Sequence, residues 1–331
     1  MRRRSVFALS IILLAVGSVP AGPESKAPPY DSSTPLREPT LFVRDIVSTG
    51  DDESHPAFTP DGRTLYFLKN TPTFDFWTIV VSRFQDDRWQ EPQVAPFSGL
   101  TSDADPFVTR DGSKLFFIST RRAPGKTTDD LDLWVVERSG TDWGEPQRLP
   151  EPVNSPGSEW FPTVADDGTL YFGSDREGGL GETDLYRCRL VNGRYGAPEP
   201  LGSPVNSSAD EVEPCIAPDQ SFLIFAAAGR PGARGTFDLY LSEARDGGWS
   251  EPVALGGGVN SPAWDFSPRL TPDGKYLFFT SSRRLDRKKP DRPRTYPELI
   301  RKLRGPGNGL RDIYQIELSA ARVTTPPAAE R

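Results

Sequence analysis

The stretch Pro56-Ala57-Phe58-Thr59-Pro60-Asp61-Gly62-Arg63-Thr64-Leu65-Tyr66-Phe67 decides the fold, because versions of it return four more times along the chain. The further copies begin at Pro106, Pro162, Pro214 and Pro268, so successive copies lie 50, 56, 52 and 54 residues apart. A repeat of about 40 to 50 residues that is made of short strands is typical of a β-propeller. We therefore predict five repeats, each of which forms one blade.

Each repeat has four recognisable pieces. An acid stands three residues before the proline and begins the innermost strand. An Asp-Gly pair follows, or Asp-Gln in the fourth repeat, and favours a tight hairpin. An apolar run such as Leu65-Tyr66-Phe67 then predicts a second strand buried on both faces. An Asp-apolar-aromatic third strand, such as Asp132-Leu133-Trp134, and an outer strand with Glu-Pro or Ala-Pro complete the repeat, since proline is tolerated at an edge.

The fifth repeat lacks its outer strand, and the N-terminal segment is placed to supply it. Glu38-Pro39 stands 15 residues before the acid Glu53, a spacing close to that of the other repeats. We therefore predict that Thr40 to Ile46 pairs with the last blade and closes the ring, which removes exposed strand edges. The predicted fold is all-β: a single five-bladed β-propeller over residues 38–318, with four-stranded antiparallel blades and an N-terminal strand completing the last one.

The repeat pattern acid-x-x-Pro-x-apolar-x-Pro-Asp-Gly-x-x-Leu-Tyr-Phe-x-Ser-x-Arg resembles the TolB-type, WD40-like propeller repeat of bacterial envelope proteins. Ser119-Thr120-Arg121, Ser174-Asp175-Arg176 and Ser281-Ser282-Arg283 match its end, whereas the first and fourth repeats depart from it with Lys69-Asn70-Thr71 and Ala227-Ala228-Gly229-Arg230. The resemblance implies a propeller of the cell envelope. It leaves the function open, because such repeats occur in scaffolds, partner-binding modules and peptidase gating domains. Propellers of this type usually have six blades, and this chain has five repeats.

The N-terminus predicts export. Three arginines precede an apolar run from Val6 to Val16, and Val19-Pro20-Ala21 follows, so residues 1–21 have the pattern of a signal peptide. The apolar run is short for a membrane span, although a retained N-terminal anchor is the alternative. Residues 22–37 and 319–331 are predicted to be a disordered linker and a disordered tail. We expect a periplasmic or secreted protein that is monomeric and has no transmembrane domain in its mature form.

The net charge narrows the class of partner, and the positions of the two cysteines bear on whether they form a disulfide. Without residues 1–21 the chain has 36 basic and 46 acidic residues, a net charge of −10, which disfavours nucleic acid as a partner. An oxidising compartment would permit a disulfide between Cys188 and Cys215. The two cysteines occupy unlike places in their repeats, so we predict that both are free buried thiols.

The first candidate site is the acid that recurs once per blade. Its side chains could hold a cation such as calcium, or act on a glycan as paired carboxylates do in glycosidases. The alternative is structural: a residue repeated in every blade builds the blade, here by pairing with the arginine of Ser-x-Arg. No other cofactor is predicted. The candidate ligand-binding residues of this kind are Glu53, Asp103, Glu159, Glu211, Asp265, Arg121, Arg176 and Arg283.

The second candidate breaks the symmetry of the repeats. His55 is the only histidine and stands directly before the repeated proline, where the other repeats have Asp105, Phe161, Glu213 and Ser267. An imidazole there could act as a general base or a metal ligand, although a lone histidine in a polar loop often does neither. Trp160, Trp264 and Phe266 come from equivalent segments and suggest a stacking floor for a sugar or peptide, or else packing between blades.

The third candidate is a basic insertion, 284–310, between the second and third strands of the fifth repeat. With the flanking Arg283 and Arg311 it has eleven basic residues and three acids. Thr295-Tyr296-Pro297-Glu298 predicts the start of a short helix, and Gly305-Pro306 predicts its end. The insertion is either a lid held on the acidic body, or a docking surface for an anionic polysaccharide, lipid headgroup or protein.

These observations favour a non-enzymatic binding module or scaffold for a protein or glycan of the cell envelope. The alternative is a carbohydrate-active enzyme, a hydrolase or lyase, that uses rim carboxylates with or without calcium. The sequence contains no zinc-type spacing, and no cysteine nucleophile has a second histidine to serve it.

Overall fold

The computed structural model describes residues 27–122, 130–285 and 289–322, and it shows the predicted five-bladed β-propeller. The blades are numbered here in the order of their innermost strands. The innermost strands are Asp52–Phe58, Asp103–Val108, Glu159–Val164, Asp210–Ile216 and Asp265–Leu270. The second strands are Thr64–Asn70, Lys114–Ser119, Leu170–Ser174, Phe222–Ala228 and Tyr276–Ser281. The third strands are Trp77–Gln85, Asp132–Ser139, Asp184–Cys188, Asp238–Arg245 and Asp312–Glu317.

The outer strand of blades 1 to 4 is split into two short pieces. The Glu-Pro or Ala-Pro step lies between the pieces, because proline has no amide hydrogen to donate to the ladder. A small extra strand, Leu190–Val191, pairs with the first piece in blade 3. The two pieces are Arg88–Trp89 and Gln93–Val94, Asp142–Trp143 and Gln147–Arg148, Arg194–Tyr195 and Glu199–Pro200, and Gly248–Trp249 and Val253–Ala254.

The N-terminal segment closes the ring as predicted. Strand Thr40–Leu41 pairs antiparallel with Asp312–Glu317 of blade 5, and the amide of the next residue, Phe42, donates to the carbonyl of Ile313 at 2.9 Å. The Phe42 ring is buried and makes edge-to-face contacts with Phe58, Trp89 and Phe278, which belong to blades 1 and 5. The two ends of the chain are therefore joined by both hydrogen bonds and core packing.

Two rims follow from the strand directions. The upper rim consists of the loops that precede the innermost strands and those that join second to third strands. The lower rim carries the Asp-Gly turns. In each turn the aspartate accepts a hydrogen bond from the amide two residues later, as from Arg63 to Asp61 at 3.0 Å. The glycines of four turns have positive φ, and Gln220 takes that conformation in the fourth.

Part of the predicted linker is packed on the lower rim. Tyr30 is only 2% exposed and lies edge-on against Phe58 and Tyr276. Its neighbour Asp31 accepts hydrogen bonds from the Lys275 ammonium and from the Tyr276 hydroxyl. A buried tyrosine repays the ordering of a short segment, so residues 27–37 differ from the expected disorder. Residues 1–26 lie outside the described residues, as does most of the predicted tail.

The basic insertion contains the predicted helix, Tyr296–Leu303, which lies on the upper rim. The amide of Thr295 donates to the Glu298 carboxylate at 2.8 Å, as a capping box requires. A second helix, Leu318–Ala321, follows the last strand. Among the described residues, no helix is long and apolar enough to cross a membrane.

Replacing the seam residue tests ring closure. Phe42→Ala removes a buried ring that touches both end blades, so we expect the free energy of unfolding to fall by about 3 to 5 kcal/mol in urea denaturation. Leu100→Ala is the control, because Leu100 is 95% exposed, and its effect should stay within about 0.5 kcal/mol. Equal effects of the two changes would contradict closure by this segment.

Candidate functional site

Each innermost strand bulges at the residue before its proline. The pairing with the second strand shifts register there in all five blades. The residue has φ of 55° at His55, 54° at Asp105, 56° at Phe161, 56° at Glu213 and 51° at Ser267. Positive φ is uncommon for residues with a side chain, and bulges re-aim side chains at functional sites. The backbone feature is therefore five-fold, whereas the side chains that it presents differ in every blade.

His55 lies at the propeller axis. Its Nε2 atom is 3.1 Å from Asp105 Oδ1 of blade 2 and 3.1 Å from Glu213 Oε1 of blade 4. Its Nδ1 atom is 2.8 Å from the Ser54 hydroxyl, and its ring stacks on Phe161 of blade 3 with centroids 5.7 Å apart. It also lies edge-on to Phe266 of blade 5, so one imidazole links all five blades, and both of its ring nitrogens have partners.

The two carboxylates also satisfy backbone amides that the bulges remove from the ladder. The amide of Phe161 donates to Asp105 Oδ2 at 3.2 Å, and the amide of Ser267 donates to Glu213 Oε2. In each case the carboxylate reaches the bulge of the following blade. Buried amides require such partners, so Asp105 and Glu213 cross-link neighbouring blades.

A cavity of about 240 Å³ opens above this cluster on the upper rim. Its walls are mainly aromatic, and several rings support one another: Trp77 donates its indole hydrogen to the Phe74 carbonyl, and Trp264 lies edge-on to Phe266. Asp105 and Glu213 are only 1% and 3% exposed beneath these walls. The aromatic lining residues are Phe74, Trp77, Trp160, Phe161, Phe237, Trp264 and Phe266.

Arg269 separates this cavity from the lower half of the channel. Its guanidinium is buried and donates to the carbonyls of Pro162, Pro214 and Pro268 at 3.3 to 3.4 Å. It also lies 5.7 Å from the centroid of the Phe107 ring. A smaller cavity of about 70 Å³, lined in part by Cys215, lies on the lower side.

Burial raises the pKa of Asp105 to about 6, although the nearby His55 opposes the shift. A carboxyl with such a pKa can hold or release a proton near neutrality. Both oxygens of this carboxylate are already engaged, by His55 and by the Phe161 amide. The arrangement therefore suits a charged floor beneath an apolar cavity better than a freely accessible acid or base.

The once-per-blade acids lie inside the blades and are paired there. Three of them bind the arginine of the Ser-x-Arg end and Glu211 binds Arg230, all at 2.7 to 2.9 Å, as the structural interpretation of their repetition predicts. A hydroxyl or amide from the preceding loop adds a further bond, as from the Ser155 hydroxyl to Glu159 at 2.5 Å. The pairs are Asp103 with Arg121, Glu159 with Arg176, Glu211 with Arg230, and Asp265 with Arg283.

The two repeats that depart from the pattern keep the same interaction. In blade 1 the Lys69 ammonium contacts Glu53 at 2.5 Å, so lysine replaces arginine. In blade 4 Arg230 stands one position later than its counterparts and still reaches Glu211 at 2.8 Å. No group of three or more metal-binding side chains is arranged to hold a metal ion among residues 27–122, 130–285 and 289–322. Calcium binding stays a prediction.

The structure thus brings only part of the predicted site together. His55 and Trp160 line the cavity, whereas the once-per-blade acids and their arginines do not. Their role in ligand binding stays a prediction. Asp105, Glu213 and four of the aromatic rings were not among the predicted site residues. The available signal was the position before the proline, where the five repeats carry five different residues between similar neighbours.

Both cysteines are free and buried, as predicted. Cys188 lies in the interior of blade 3, where burial raises the pKa of its thiol to about 12. Neither thiol lines the upper cavity.

Comparisons with known proteins support the fold and leave the family open. No protein-family model matches the sequence, and no curated protein is similar to it at a significant level. A solved glycoside hydrolase aligns over 90% of this chain and 94% of its own, with 10% identity and a TM-score of 0.54. A thermostable family-43 glycoside hydrolase aligns over 88% of this chain and 100% of its own, with 13% identity and a TM-score of 0.49.

A prolyl endopeptidase also aligns, over 69% of this chain, with 14% identity and a TM-score of 0.39. This chain covers only 30% of that longer protein. At 10% identity, the likeness to the glycoside hydrolase with the TM-score of 0.54 shows the fold alone. The resemblance to TolB-type repeats stays a prediction.

Removing one arginine tests the structural role of the acid pairs. Arg176→Ala leaves Glu159 buried without its cation and removes a guanidinium stacked 5.1 Å from Phe172, so we expect a loss of about 3 kcal/mol in unfolding free energy. Arg194→Ala, at an exposed position on the lower rim, is the matched control and should change stability little. An unchanged melting temperature for Arg176→Ala would argue against a structural pair.

Stability should depend on pH through Asp105. Its pKa is raised in the folded state, so its contribution is greatest below pH about 4 and is lost as pH rises through about 6. The loss is at most about 3 kcal/mol. Asp105→Asn keeps an acceptor for the Phe161 amide but does not ionise, so its stability relative to wild type should rise between pH 4 and 7. Urea denaturation of both proteins at each pH measures this difference. A difference in unfolding free energy that stays constant from pH 4 to 7 would contradict the prediction.

Proposed function

We propose that the protein is a non-enzymatic binding module that holds a protein or glycan partner of the cell envelope on its upper rim. One group of the partner would enter the axial cavity. The observation that carries this proposal is the cavity itself, about 240 Å³ in volume, with seven aromatic side chains in its walls. Binding pockets are typically concave and mostly apolar, with few polar groups.

The chemistry of the cavity favours an apolar or flat group over a hydroxyl-rich one. Aromatic walls stack on the apolar face of a ring and gain from the burial of its surface. Hydroxyl groups need hydrogen-bond partners, yet the polar side-chain atoms of His55, Asp105 and Glu213 are already bound to one another, to the Ser54 hydroxyl or to backbone amides. The best-fitting guest is therefore an aromatic or aliphatic side chain, or the apolar face of a sugar.

A second candidate, a carbohydrate-active hydrolase or lyase, has one observation in its favour. Asp105 Oδ1 and Glu213 Oε1 both lie 3.1 Å from His55 Nε2, so the two oxygens are separated by at most twice that distance. Retaining glycosidases hold their carboxyl groups about 5 to 5.5 Å apart. The burial of both groups favours binding without turnover.

Tryptophan fluorescence provides the test. Trp77, Trp160 and Trp264 line the cavity, so a bound guest should change their emission when the protein is titrated with defined peptides and oligosaccharides. Trp160→Ala and Trp264→Ala should each weaken binding at least tenfold, because stacking on the indole ring and burial of apolar surface are lost. Trp249→Phe, on the outer strand of blade 4, should bind as the wild type does.

The same panel separates binding from catalysis. Each oligosaccharide that binds is incubated with the protein and examined for new reducing ends or unsaturated sugars. We expect none. Release of product by the wild type that is abolished in Asp105→Asn and Glu213→Gln, with folding intact, would establish the enzyme and overturn the binding-only proposal.

A further inference from the structure

The exposed apolar side chains are concentrated on one rim. Of the twelve large hydrophobic residues that are exposed within the described ranges, eight lie in loops of the upper rim. The other four lie on outer strands or on the lower hairpin of blade 3. The eight are Phe76, Leu100, Leu180, Trp264, Leu285, Tyr296, Leu299 and Leu303. Apolar surface gathered on one face of a soluble fold marks a surface that is covered by something else.

Three of these residues belong to the helix of the basic insertion, Tyr296–Leu303. Tyr296, Leu299 and Leu303 are 73%, 40% and 57% exposed. The spacing of three and four residues places them on one side of the helix. No residue of the helix is buried, so its apolar side has no core to pack against among the described residues.

The other side of the helix and its flanks are basic. Residues 289–304 contain six basic residues and two acids. One of the acids, Glu298, is held by Arg292 at 2.6 Å, so its charge is locally compensated. The rest of the chain has an excess of acidic residues, so this segment of net positive charge coincides with the apolar stripe.

The insertion is fixed at its base, whereas the apolar side of its helix is exposed. The Asn308 side-chain amide donates to the Gly50 carbonyl at 3.1 Å, and Arg311 pairs with the buried Asp52 at 2.6 Å. The Arg311 guanidinium also covers the ring of Phe74, which lines the axial cavity. The helix is thus held beside the cavity mouth with its apolar side turned away from the core.

We infer that the upper rim docks on an anionic lipid surface, with Tyr296, Leu299 and Leu303 entering the interface and the neighbouring lysines and arginines contacting the headgroups. The combination of exposed apolar side chains and basic side chains on one helix decides the class of partner. An anionic polysaccharide would account for the basic residues but gives exposed leucines nothing to bury against. A short basic amphipathic helix with an aromatic residue matches the boundary between headgroups and acyl chains. Docking in this way turns the cavity mouth toward the bilayer.

Vesicle flotation tests the inference on the mature full-length chain. The wild type is mixed with phosphatidylcholine vesicles, or with vesicles that contain phosphatidylglycerol in addition. We expect at least tenfold stronger binding to the anionic vesicles, weakening as salt is raised because exposed charges are screened. Failure of the wild type to float with anionic vesicles at low salt would overturn the inference.

Two variants separate the apolar from the electrostatic contribution. Leu299→Glu with Leu303→Glu, and Arg301→Glu with Arg304→Glu, should each reduce flotation at least tenfold. All four side chains are exposed, so circular dichroism and melting should be unchanged. Leu190→Glu with Val191→Glu is the matched control for the leucine pair, because it places the same two charges at positions 40% and 59% exposed on the lower rim, and it should float as the wild type does. Equal losses in the control would show non-specific adsorption.

Two further measurements distinguish other partners. If the upper rim meets the bilayer, lipids brominated in the acyl chain should quench the fluorescence of Trp264. The contribution of Trp264 is the quenching that is lost in Trp264→Phe. The soluble anionic polysaccharide heparin should not bind more tightly than the vesicles. The leucine substitutions could leave both heparin binding and flotation unchanged. That result would overturn the inference of a lipid partner and indicate a polysaccharide instead. The vesicle assay is independent of the guest in the cavity, so it can fail while the proposed function stands.

Discussion

The bulge before each repeated proline is the constraint on which the site depends. A regular strand would keep every amide in the ladder and would direct its side chains into the blade faces. The positive φ at this position instead turns one side chain per blade to the axis and frees its amide. Carboxylates of neighbouring blades then satisfy two of these amides. Strain in the backbone is thus coupled to polar contacts between blades, and both maintain a charged cluster under an aromatic cavity.

Symmetry separates the paired residues inside the blades from the residues of the axial cavity. The acid–arginine pair recurs in blades 2 to 5, with lysine in place of arginine in blade 1, and ties the end of each second strand to the start of the innermost one. A feature needed by every blade is repeated in every blade. The five residues before the prolines meet in one cluster at the axis, which the ring has only once. They are therefore free to differ from blade to blade. His55 stands at this position and contacts all four other blades.

The sequence was sufficient to predict the blades and insufficient to predict the cavity. The spacing of the prolines, the Asp-Gly turns and the unmatched Glu38-Pro39 predicted the ring, its strands and its seam, since these depend on local patterns. The proximity of His55, Asp105 and Glu213 depends on closure of five blades around an axis, which no local pattern encodes. The packing of Tyr30 was missed for a similar reason: its partners, Phe58 and Tyr276, lie far away in sequence.

Arg269 gives the axis a further property. Its buried guanidinium binds three proline carbonyls from different blades and lies between the upper and lower cavities. The axial cavity is therefore closed at its lower end and is not a through channel. A ligand can enter and leave only at the upper rim. A polymer can insert only a terminus or a side branch, because it cannot pass through the ring.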